Sequence, residues 1–149
     1  MNRDPRPMDR RAEGPGSVGL WMTRDPVRVA VTCPVGRVVR LMEAQRIRHV
    51  LVMDGERLAG IVSNRDVRTL LVSDVARPVL SAGSPVSEAM TEAVVTASAT
   101  TPLTDAAREM LDRKIGALPI LEDGRPVGIL TKSDALEALL TWTERSRSV

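Results

Sequence analysis

Apolar residues follow one another along this chain in a fixed order of patterns, and the order is run through twice. The first run has a short β-prone stretch at 27–32, then Val35, Val38, Val39 and Met42 at helical spacing. Two short apolar stretches come next, 49–53 and 58–62, separated by Asp54-Gly55-Glu56. Asp-Gly between apolar runs predicts a tight hairpin, because glycine takes the positive φ that such turns require. A further helix starts at Asn64 and carries Val67, Leu70 and Leu71. The second run repeats this: a β-prone stretch at 94–100, then a helix with Leu103, Ala106, Ala107 and Met110. Strands at 117–121 and 126–130 follow, joined through Glu122-Asp123-Gly124-Arg125, and a last helix starts at Lys132 with Leu136, Leu139 and Leu140. Thr101 suits the cap of the earlier helix, with Pro102 as its first residue. In the first run Pro34 takes that place, and Cys33, a poor cap, reads as structural rather than reactive.

The two runs are one repeat. An offset of 68 residues without a gap brings Val18 onto Val86, Met22-Thr23 onto Met90-Thr91, and Pro34 onto Pro102. It also brings Gly60-Ile61 onto Gly128-Ile129 and Asp66 onto Asp134. The fold expected is α/β, with α+β-like segregation: two tandem β-α-β-β-α repeats. One such unit leaves a sheet face open, so two are expected to pack with pseudo-two-fold symmetry. The boundaries read as a flexible tail at 1–17, repeats at 18–72 and 86–140, a linker at 73–85 and a C-terminal tail at 141–149. That last tail is expected to prolong the final helix before it frays.

Composition removes several classes of function. Of 149 residues 43% are hydrophobic and 27% charged, with no Phe or Tyr and only Trp21 and Trp142 as aromatics. A surface that stacks bases on aromatic rings is therefore not available, and a net charge of +2 spread along the chain is a weak footprint for nucleic acid. Cys33 and His49 are the only residues of their kinds, which leaves no internal disulfide and no Cys/His zinc site. No second partner is placed for catalysis through His49, so no enzyme is expected. No apolar run is long enough for a membrane span and no signal peptide is evident, so the expected setting is the cytoplasm.

The chemistry concentrates where the third strand of each copy meets its last helix. The segments are Gly60-Ile61-Val62-Ser63-Asn64-Arg65-Asp66 and Gly128-Ile129-Leu130-Thr131-Lys132-Ser133-Asp134. Two readings stand side by side. In one, Ser63 and Thr131 are N-caps, and the acid three positions on completes a capping-box variant with no ligand. In the other, the helix N-terminus faces a phosphate, the hydroxyl donates to it, and the carboxylate accepts from the hydroxyls of a ribose. Glycine in the strand then lets backbone approach the ligand, and Arg65 and Lys132 add charge.

These runs, with the entry Trp21-Met22-Thr23-Arg24-Asp25-Pro26-Val27, resemble the CBS repeat over residues 18–140. The layout is also similar to bacterial stand-alone CBS proteins of the acetoin-utilisation type. The resemblance implies a CBS pair with two clefts that take AMP, ADP, ATP or S-adenosylmethionine, and no further cofactor or metal. One cleft combines Ile61, Ser63, Arg65 and Asp66 with Thr91, Val95, Gly116 and Ala117. The other combines Ile129, Thr131, Lys132 and Asp134 with Thr23, Val27, Arg48 and His49. Lys132, Arg48 and His49 make the second the better candidate for a polyphosphate. His49 reads equally as a half-buried residue at a strand start. The first copy departs from the pattern with Leu51 where Pro119 stands in the second. A homodimer through the helices and an effector protein as partner are implied as well. The competing reading is a structural or interaction module whose motifs are only caps.

Overall fold

The computed structural model describes residues 14–72, 80–92 and 94–148. Of the expected connection 73–85 only 80–85 falls among them, and of the expected tail 1–17 only 14–17. In chain order the elements are β1 (Thr23–Arg24), β2 (Arg28–Ala30), α1 (Val35–Gln45), β3 (His49–Asp54), β4 (Arg57–Ser63) and α2 (Asn64–Val72). They continue with α3 (Leu103–Asp112), β5 (Ala117–Glu122), β6 (Arg125–Thr131) and α4 (Lys132–Arg147), and single helical turns stand at Val18–Leu20 and Val86–Glu88. The final helix thus runs on through most of the expected tail.

The described chain forms two compact units. The first joins 14–25 to 95–148, and the second comprises 26–72, 80–92 and Val94. Neither unit is one continuous repeat. The first sheet has the order β1-β6-β5, with Thr23 opposite Ile129 in antiparallel register. The second has the order β2-β3-β4, and Thr91 pairs with Ile61 on the free side of β4. Thr91 donates to the Ile61 carbonyl at 2.9 Å and accepts from its N–H at 3.1 Å. Each Met-Thr entry segment therefore lies against the last strand of the other copy. Single bridges complete the correspondence: Ser17 pairs with Pro102 and Pro34 with Pro85.

Local chemistry explains where the elements begin and end. Asp123 and Gly124 take φ of 50° and 75°, and Gly55 takes 61°, so both hairpins close as the Asp-Gly signals predict. Both hairpins carry a register irregularity at the matching place, Val52/Met53 and Ile120/Leu121. The β-prone stretch at 94–100 yields only a bridge from Ala97 to Ile120 instead of a strand. There the Thr101 hydroxyl accepts from the Ser98 N–H at 3.1 Å and folds the backbone into a turn. Thr101 is therefore not the cap of α3. Pro102 stands in the cap position with extended ψ of 135°, and the Leu103 N–H donates to the Gly16 carbonyl at 2.9 Å. In α1 the Val35 N–H likewise donates to the Ser84 carbonyl at 2.8 Å. A carbonyl from a distant segment does the work of a side-chain cap in both helices.

Each unit has its own core. Val18, Trp21, Met22, Leu118, Ile120 and Leu130 anchor the first, and Val35, Val38, Val50, Val52, Val62 and Val67 the second. The described end of the expected tail is tied to the first core. Trp21 is buried and its indole N–H donates to the Pro15 carbonyl at 2.7 Å. A chain without Phe or Tyr fills these cores with β-branched residues and methionine, which pack well between a pleated sheet and a helix.

Candidate functional site

In the first unit β6 delivers Thr131 directly into the first turn of α4. The Thr131 hydroxyl accepts from the Asp134 N–H at 3.2 Å, and Asp134 Oδ2 accepts from the Thr131 N–H at 2.9 Å. This is a complete capping box, in which two otherwise unpaired helix N–H groups are satisfied reciprocally. Asp134 is only 1% exposed, the one buried charged residue among those described. A third group reaches it from β1: Thr23 Oγ1 lies 3.5 Å from each carboxylate oxygen. Ala117 pairs with Thr131 across the hairpin, and the Lys132 N–H donates to the Gly116 carbonyl at 3.1 Å. Ile129, Thr131, Lys132, Asp134 and Thr23 thus gather at one place, with Gly116 and Ala117 beside them.

The second unit builds the same place with one difference. Ser63 Oγ accepts from the Asp66 N–H at 3.0 Å, but the return bond from the Ser63 N–H to the acid is not made. Asp66 is half-buried, and its carboxylate has no protein partner among the described residues. Thr91 is exposed and holds Ile61 through backbone alone. His49 pairs with Ser63, and the Asn64 N–H donates to the Arg48 carbonyl at 2.8 Å. Arg48 and Arg65 are exposed and His49 half-buried. Val27 and Val95 pack on the edges of the second and first cores. Within the units, then, Arg48 and His49 neighbour Ser63, while Gly116 and Ala117 neighbour Thr131.

The motif glycines answer to the protein itself. A Cβ on Gly60 would fall 2.7 Å from the Thr91 carbonyl oxygen and 2.8 Å from Met90 Sδ. On Gly128 it would fall 2.6 Å from Met22 Sδ and 3.0 Å from the Thr23 carbonyl oxygen. The space that sequence reasoning reserved for a ligand is taken by the entry segment. Sequence reasoning also missed the bond between Thr23 and Asp134, which joins positions 111 residues apart and has no local signal. A separate open groove of about 660 Å³ runs along β2 and α1 of the second unit. Of the expected contacts it contains only Val27. Among the described residues no group of His, Cys, Asp or Glu is arranged to hold a metal, and no helix is long and apolar enough to cross a membrane.

Two units, each with a three-stranded sheet and a hydroxyl–acid pair where its last strand enters the following helix, define a tandem-repeat module of mixed α/β class with a duplicated polar motif. A family model for the CBS domain matches residues 16–73 and 86–141, and the chain belongs to the CBS-domain family. The structure of a Vibrio cholerae protein assigned to acetoin utilization (AcuB) resembles it at a TM-score of 0.76 and 32% identity. That match covers 89% of this chain and 96% of the other. CBSX2, solved in complex with AMP, matches at a TM-score of 0.73 and 28% identity, over 86% of this chain and 98% of that one. Inosine-5'-monophosphate dehydrogenase of Aquifex aeolicus is 34% identical over 78% of this chain. The chain spans only 14% to 23% of the length of such curated relatives, which carry the matching region as a small part of a larger protein.

Proposed function

We propose that the chain is a regulatory module that binds an adenine nucleotide, AMP, ADP or ATP, or a related adenosyl ligand such as S-adenosylmethionine. The observation that carries this is the duplicated hydroxyl–acid pair at a helix N-terminus, one copy of which has a half-buried carboxylate, Asp66, with no partner among the described residues. Such a place offers backbone N–H groups and the positive helix end to phosphate, and carboxylate oxygens to ribose hydroxyls. The likeness to CBSX2, a CBS protein solved with AMP, supports the ligand class. Ser63, Asp66, Ile61, Arg65 and Thr91 form one site in this reading, and Thr131, Asp134, Ile129 and Lys132, with the Thr23 backbone beside them, the other. Arg48, His49, Val27, Val95, Gly116 and Ala117 complete them. The module works in the cytoplasm, catalyses nothing, and reports to an effector protein.

A second reading is favoured by one feature, the complete capping box at Thr131 and Asp134, which needs no ligand. On that reading the chain is an interaction module. A thermal-shift series with AMP, ADP, ATP and S-adenosylmethionine, with and without magnesium, separates the two. A ligand present at 100 times its dissociation constant adds about 2.7 kcal/mol to the folded state, several degrees in melting temperature. A rise with at least one adenosyl compound, lost in Asp66→Asn, is expected. No shift with any of them at millimolar concentration rejects the nucleotide reading.

The module also pairs with a second copy of itself. Leu136, Leu139 and Leu140 lie at i, i+3 and i+4 on α4 and are 60%, 52% and 60% exposed. Together with Leu111 on α3, 74% exposed, they present apolar surface that a monomer has no reason to keep.

A further inference from the structure

We propose that Thr23 and Asp134 form a clasp, so that a ligand reaches the Thr131 copy of the motif only by displacing Thr23. The ligand half of this rests on the nucleotide reading; the clasp itself does not. Three observations carry it. The first is that Asp134 is already engaged: buried to 1% exposure, it accepts from the Thr131 N–H at 2.9 Å with Oδ2. The second is that Thr23 is the weak member of this set. At 3.5 Å from both oxygens its hydroxyl is well beyond the 2.5–2.7 Å of a good hydroxyl–carboxylate bond. A sugar diol at normal distance exchanges favourably with a partner held so loosely. The third is an internal control. The bridge of Thr91 to Ile61 reproduces the pairing of Thr23 with Ile129, yet among the described residues no hydroxyl from the entry segment bonds to the Asp66 carboxylate. An entry segment pairs with the last strand in both units, but the bond from the entry threonine and the return bond of the cap are made only in the first. The clasp is therefore specific to the first unit and leaves the Asp66 copy open.

Displacement has a consequence for the chain. Thr23 belongs to the segment that carries Val18, Trp21 and Met22 into the first core, through Val18 N–H to the Thr101 carbonyl and Gly19 N–H to the Ala99 carbonyl, both 2.8 Å. Occupation of the Thr131 site therefore loosens the N-terminal segment, whereas occupation of the Asp66 site does not.

Hydrogen exchange and calorimetry on the full chain test both halves, with AMP as the probe. Without ligand, Thr23→Val and Asp134→Asn speed exchange of the amides from Val18 to Arg24 by about fivefold, while Thr23→Ser, which keeps the hydroxyl, stays near the wild type. Unchanged exchange in Thr23→Val overturns the clasp. With AMP, the wild type binds one equivalent that Asp66→Asn removes. Thr23→Val gains a second equivalent or binds about fivefold tighter. Equal stoichiometry and affinity in wild type and Thr23→Val overturn the gate. If neither protein binds AMP, the nucleotide reading falls and takes the gate with it, and the exchange measurement still decides the clasp.

Discussion

Gly60 and Thr91 are in such close contact that a Cβ on the glycine would lie 2.7 Å from the threonine carbonyl oxygen. That oxygen is backbone and is itself bonded to the Ile61 N–H at 3.1 Å, so it has little freedom to retreat. Gly60→Ala is expected to destabilise the protein by about 2 kcal/mol, in the range for overpacking a well-filled site. Gly128→Ala meets first a flexible Met22 Sδ at 2.6 Å and then the Thr23 carbonyl at 3.0 Å, so its cost is smaller. Urea unfolding of the two variants checks the order; an equal or reversed ranking contradicts the packing argument.

The two motif hydroxyls are expected to differ in structural weight. Thr131 belongs to a complete capping box around a buried acid, so Thr131→Ala removes a cap and leaves the Asp134 N–H without its partner. A loss of about 1–2 kcal/mol is expected. Ser63 makes only one of the two bonds, and Ser63→Ala is expected to cost about 1 kcal/mol or less. The difference in midpoint between the two variants in one denaturation series measures it.

Arg46 and Lys114 hold the left-handed conformation after α1 and α3, with φ of 53° and 55°. They occupy matching places in the two repeats, where the chain turns so that Ile47 and Ile115 donate back to Met42 and Met110, both at 3.0 Å. Only glycine takes this conformation without steric cost. The strain that Gly would relieve, about 1–2 kcal/mol, exceeds the roughly 0.4–1 kcal/mol of unfolded-state entropy it adds. Arg46→Gly and Lys114→Gly are each expected to raise stability by about 0.5 kcal/mol, seen as a small rise in thermal midpoint.

Much of this fold was legible in the sequence because its signals are local. Apolar spacing placed α1 and α3, Asp-Gly placed both hairpins, and the hydroxyl–acid pairs placed the starts of α2 and α4 at Asn64 and Lys132. What periodicity cannot carry is which copy an entry segment joins. Met22 and Thr23 read as the beginning of their own repeat, yet they pair with β6, more than a hundred positions later. The same non-local contact turned Gly60 and Gly128 from candidate ligand contacts into seats for Met90 and Met22. The cap of α3 was misread for a related reason. Thr101 is a good cap residue, but its hydroxyl is spent on the Ser98 turn, and the Gly16 carbonyl supplies the acceptor instead. At the site, residue types were legible, whereas the unequal engagement of Asp66 and Asp134 was not, because both copies spell the same motif.

The leucines of α4 give the most direct test of assembly. Leu136 and Leu140 stand one turn apart on the exposed face, each 60% exposed, and neither belongs to the core of its unit. Replacing both with lysine puts two like charges at i and i+4, a small cost to the helix itself of about 0.5 kcal/mol. In a dimer that buries this face the same charges lose their water without a partner, a much larger cost. Light scattering at micromolar concentration is therefore expected to show a dimer for the wild type and a folded monomer for the Leu136→Lys, Leu140→Lys double variant. The circular dichroism of the two should match. A wild type that elutes as a monomer, or a double variant that remains dimeric, removes α4 as the contact face.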